Sequence, residues 1–174
     1  STSLESIIWA LNKRNYLYYL SGNIMSASEI KQKIDNAVKD AMRARDKQRV
    51  GALRLAMSEF KKVEVDERIE LDDARVLAIL DKMTKQRKDS LAQYEAAGRE
   101  DLVAQEAFEI ELIKEFLPTE LTVEELAALV QGAISETGAS SMKDMGRVMA
   151  ILKPQIQGRA DVGAVSGQVK SLLS

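Results

Sequence analysis

Cations and methionines share one short stretch near the end of this chain, SMKDMGRVMAILKPQIQGRA, residues 141–160. Met142, Met145, Val148, Met149 and Leu152 recur at three- and four-residue steps, which predicts a single apolar helical face. Lys143, Arg147, Lys153 and Arg159 fall largely between them, and Lys170 follows in the next helical pattern. A helical unit with one apolar face and scattered cations has the chemistry to hold a phosphate backbone. The same pattern also fits an ordinary surface helix pair. Gly158 is expected in a left-handed or otherwise strained conformation in the turn before Asp161, because the helix before it must stop and reverse. That turn would bring Arg159 to the entry of the final helix, whose first amides favour an anion.

A second basic region lies earlier. Residues 31–62 hold ten Lys/Arg against four Asp/Glu, a local net of +6. Lys47, Arg49 and Arg54 belong to it, and Lys85 and Arg87 belong to a smaller cluster from Lys82 to Lys88. Acids concentrate at 64–73 and 95–115. The separation predicts a basic and an acidic side although the whole chain carries only −2. That total excludes a uniformly basic nucleic-acid binder but leaves room for a basic face. The alternative is that these cations are solvated faces paired with acids on neighbouring helices.

Other chemistries find little support. With 0 cysteines and 0 histidines the chain has no thiolate and no imidazole, which removes the commonest metal ligands, nucleophile and general base. Glu106, Glu109 and Glu111 resemble part of a helical carboxylate metal site, but such sites add a histidine three residues after a glutamate. A solvated helix face is the expected role. Ser140 and Ser141 stand near Lys143, and helix capping accounts for Ser141. No glycine-rich phosphate loop with a terminal lysine and hydroxyl is present. The expectation is no catalytic residue, no metal and no cofactor.

These residues must be held by helices. Hydrophobic residues make up 45% and charged residues 30%, with two prolines and nine glycines, a helix-favouring composition. Apolar periodicity predicts a helix from Ser28 to about Met42. A second follows Asp46 through Val50, Leu53, Met57 and Phe60, with a kink or break at Arg45–Asp46. An acidic connector is expected from Glu64 to Asp73. A third helix runs from Asp72 or Asp73 to Gly98, and a fourth from about Glu100 to Phe116. Pro118 is the sharpest punctuation. Thr122-Val-Glu-Glu125 forms a capping-box pattern, and the helix it opens should end at Gly138. Ser141 and Asp161 are expected to cap the last two helices. No window alternates long enough for a strand. The fold class is all-α: a helical part at 25–117 and a compact three-helix part at 118–174.

Residues 1–24 differ in character. Trp9, Tyr16, Tyr18 and Tyr19 are here, and Lys13 and Arg14 split the apolar run, so a membrane span of ~20 apolar residues is not expected. No basic segment precedes the run, as a signal peptide would need. Met25 reads as a natural start and 1–24 as an extension. The competing reading is an amphipathic anchor or docking helix. A cytoplasmic protein without membrane contact is the expectation.

Three segments together resemble the YqeY family: ARDKQRVGALRLAMSEFKKVEVD (44–66), KQRKDSLAQYEAAGREDLVAQEAFEIELIKEFLP (85–118) and KDMGRVMAILKPQIQGRADVGAVSGQVKSLL (143–173). The C-terminal part of that family is similar to the tail domain of GatB, the B subunit of the aminoacyl-tRNA amidotransferase. The resemblance implies an all-helical protein with a GatB-tail-like domain at 118–174. In the amidotransferase, the tail domain helps to hold tRNA while other parts do the chemistry. Family naming attaches carbon–nitrogen ligase activity with glutamine as amido-N-donor, which this chain is not expected to perform alone.

The leading expectation is a module that binds tRNA or tRNA-like RNA, alongside an aminoacylation or amidation enzyme. Lys143, Arg147, Lys153, Arg159 and Lys170 are the first candidate phosphate contacts, and Lys47, Arg49, Arg54, Lys85 and Arg87 the second. Such contacts set affinity rather than base specificity. The rival is a protein–protein adaptor using an apolar groove between the two helical domains. A weaker third reading is an accessory subunit of a carbon–nitrogen ligase.

Overall fold

The computed structural model describes residues 28–174, and in them it shows seven α-helices and no strand. The fold class is all-α. What the sequence suggests for residues 1–24 lies outside the described residues. The described chain falls into two compact units, one ending at Pro118 and the other running from Thr119 to Ser174.

In the first unit, α1 spans Glu29–Arg43 and α2 spans Lys47–Glu67. Ser28 caps α1 by accepting from the Lys31 amide at 3.1 Å. Its hydroxyl donates to Asp73, which also accepts from the Ile30 amide at 3.1 Å. The start of α1 is thereby tied to the start of α3, Asp73–Ala96. The turn at Arg45–Asp46 is a full break rather than a kink. Arg45 takes φ 57, the Asp46 amide donates back to the Ala41 carbonyl at 2.9 Å, and Asp46 caps α2.

The acidic connector is shorter than its composition suggests. Helix α2 continues to Glu67, with Glu64 paired to Lys31 across the α1–α2 hairpin at 2.5 Å. Only residues 68–72 remain non-helical, opening on Arg68 at φ 54. Helix α3 stops before Gly98, which has φ 67, and α4 spans Glu100–Lys114. The core of this unit is Ile34, Phe60, Leu71, Val76 and Leu80, each at most 1% exposed. Leu71 belongs to it although it sits in the connector, so the connector is pinned from inside.

In the second unit, α5 spans Val123–Thr137. Its capping box is complete: the Glu125 amide donates to Thr122 Oγ1, and the Thr122 amide to Glu125 Oε2, both at 3.1 Å. Gly138 ends it at φ 63. A 3₁₀ turn, Met142–Asp144, leads into α6, Met145–Ile156, and α7 spans Val162–Leu173. Val130, Val148, Leu152, Ile156, Val165 and Val169 form the core. Met142 is an exception to the expected apolar face. It is 40% exposed, because the 3₁₀ turn takes it out of the register of α6.

Candidate nucleic-acid interface

The tail cations divide by what already holds them. Lys143, Lys153 and Lys170 are exposed and make no ion pair among the described residues. Arg147 pairs one turn back with Asp144. Asp144 also accepts from the Ser140 amide at 3.0 Å and the Ser141 amide at 3.2 Å. The Ser140 amide and then the Arg147 guanidinium hold its carboxyl below the ordinary range. Arg147 is therefore engaged with the capping box of the 3₁₀ turn, although its own side chain remains 63% exposed.

Arg159 is engaged more deeply. Its Nε donates to the Thr119 carbonyl at 3.0 Å, and its own carbonyl accepts from the Leu121 amide at 2.9 Å. The two bonds clamp the segment before α5 to the turn before α7. Gly158, at φ 74 and buried, makes the turn. The first amides of α7 are occupied by the chain itself: Asp161 Oδ1 accepts from Gly163 at 2.8 Å and from Ala164 at 3.2 Å. An anion arriving there would have to displace a carboxylate.

The first unit sorts its cations in the same way. Arg49 forms a two-pronged pair with Glu115, Nη1 to Oε1 at 3.1 Å and Nη2 to Oε2 at 2.8 Å. This hydrogen bond, ahead of the small cost of burial, raises the guanidinium pKa further. Arg87 is withdrawn from solvent. Its Nε donates to Glu109 Oε2 at 2.6 Å, with side chains 14% and 11% exposed. Lys47, Arg54 and Lys85 stay exposed and make no ion pair among the described residues.

Glu109 corrects the expectation of a solvated acidic face on α4. It is 9% exposed and accepts from Gln105 at 2.9 Å as well as from Arg87. Glu106 stands beside it, and burial first, then the Glu109 charge, raises its carboxyl pKa, with Arg87 opposing. No sequence signal marks this pair, because 22 residues separate its partners and neither belongs to a motif. Among the described residues no group of three metal-ligating side chains gathers, and no helix is long and apolar enough to cross a membrane.

The fold and this distribution of charge define a class: an all-helical protein in two units, each built on its own apolar core, with several unpaired cations on exposed helical faces among the described residues. A family model described as Yqey-like protein matches residues 31–173. The chain belongs to the YqeY family. It is similar to a protein of Kluyveromyces lactis named "Altered inheritance of mitochondria protein 41, mitochondrial", at 30% identity over 97% of this chain and 88% of that protein. It is 28% identical to an uncharacterized protein of Schizosaccharomyces pombe, over 58% of this chain and 81% of that one. A Lachancea thermotolerans protein with the same mitochondrial name is 37% identical over 46% of this chain and 43% of its own length. These names overturn the cytoplasmic expectation: the curated relatives that carry a location are named mitochondrial.

Proposed function

We propose that the 119–174 unit binds the phosphate backbone of tRNA or a tRNA-like RNA through Lys143, Lys153 and Lys170. The observation that carries this reading is their freedom. All three are exposed, and no carboxylate among the described residues pairs with them. An ammonium without a partner can replace condensed counterions on RNA, and the release of those ions drives binding. Arg147 is already partly neutralised by Asp144 and contributes less than a free cation. Arg159 serves the turn rather than the ligand. The protein holds RNA and does not itself transform it, so the amide chemistry of the family label belongs to a partner enzyme.

The test is a salt titration of tRNA binding. A mitochondrial tRNA pool is the first probe, since the yeast relatives are named mitochondrial. Changing Lys143, Lys153 and Lys170 together to alanine should weaken binding and flatten the log–log salt slope by about two to three units. An unchanged slope in the triple variant, or no tRNA binding by wild type at low salt, would sink this reading.

A further inference from the structure

A regular seam runs along the outward face of α2. Lys47, Gly51, Arg54, Ser58, Lys61 and Val65 follow each other at alternating steps of four and three, and all six are exposed. This is the spacing by which one helix meets another along its length. The cations come at every second step, seven residues and about 10.5 Å apart. None of the three pairs with an acid among the described residues, although Arg54 lies against Met42 Sδ at 3.6 Å. Gly51 and Ser58 leave gaps between them, and a Cβ built on Gly51 meets nothing within 4 Å.

The seam borders an open groove of about 610 Å³ formed with Lys31 of α1. Met57 and Val65 line the groove, and Met42 lies against Arg54 at its side. Val65 is 65% and Met42 52% exposed. Glu64, the one acid of the groove, is already neutralised by Lys31. The lining thus combines the apolar Met57 and Val65 with the cations Lys31, Arg54 and Lys61, and it contains no aromatic ring on which a base could stack. An RNA backbone would satisfy the cations and leave Val65 and Met42 uncovered.

We infer that this face of α2 docks an acidic amphipathic helix of a partner protein, one that presents carboxylates at seven-residue spacing with apolar residues between them. The carboxylates meet Lys47, Arg54 and Lys61. The apolar residues enter at Gly51 and Ser58 and cover Met57 and Val65. This surface is independent of the lysines of the 119–174 unit.

The full chain can be tested with two synthetic helical peptides of about 24 residues, sharing one leucine seam. One carries glutamate at every seventh position and the other lysine. The glutamate peptide should bind wild type and the lysine peptide should not. The triple variant K47E/R54E/K61E should lose about tenfold affinity for the glutamate peptide and gain binding of the lysine peptide. Gly51→Leu is the second variant. Its side chain enters open space, so the melting temperature should hold or rise while peptide affinity falls about tenfold. Equal binding of both peptides, unchanged affinity in Gly51→Leu, or a triple variant that loses tRNA but keeps the glutamate peptide would each overturn the inference.

Discussion

Arg87 of α3 and Glu109 of α4 meet at 2.6 Å beneath the surface of the first unit, beside Leu80, Leu112 and Ile113. The pair is nearly dry, and Gln105 and the Met83 carbonyl take up further hydrogen-bonding capacity on each side. Two charges were desolvated to form it, so the intact pair is expected to add little net stability over an apolar replacement.

Breaking one side of this pair should therefore be worse than removing both. Glu109→Ala leaves a buried guanidinium without its partner and should cost about 3 kcal/mol in chemical denaturation. The double change Arg87→Met with Glu109→Leu should recover most of that loss. Additive losses in the two single variants and the double would refute this account.

Two glycines should respond to alanine with opposite signs. Gly146 lies in α6 with nothing within 4 Å of an added Cβ, so Gly146→Ala should stabilise by about 0.5–1 kcal/mol. Gly138 is equally uncrowded but sits at φ 63, so Gly138→Ala should destabilise by about 1 kcal/mol. Parallel thermal melts decide it, and shifts of the same sign would contradict the argument.

Arg159 and Lys153 separate structure from ligand binding. Arg159→Ala removes the bond to the Thr119 carbonyl and should lower stability by about 1 kcal/mol. Lys153→Ala touches no internal partner and should leave stability within about 0.5 kcal/mol of wild type. Denaturation midpoints of the two variants check this without any RNA present.

Glu106 predicts a pH effect. Burial and the Glu109 charge raise its carboxyl pKa in the folded state, so folding favours the protonated form. Its favourable contribution is complete below the ordinary glutamate range and is lost as pH rises through the raised value. Glu106→Gln should thus be more stable than wild type at neutral pH, with the advantage shrinking in acid. An advantage that grows on acidification would reverse the sign and refute the assignment.

Much of this protein is fixed by local sequence. The helices, the Thr122–Glu125 capping box and the Asp46 and Asp161 caps were legible because helical periodicity and capping act within four residues. The left-handed Gly158 turn was legible for the same reason, since a helix that must stop and reverse needs such a residue. Tertiary structure decided which charges are free. Arg49 and Arg87 look like Lys47 and Lys85 in the sequence, yet Glu115 and Glu109 reach them from 66 and 22 residues away. Contacts of the same kind pair Glu64 with Lys31 across the hairpin and make Arg159 a clamp on Thr119. A charge is available to a ligand only if folding brings it no counter-ion, and that depends on contacts between elements that no local pattern encodes.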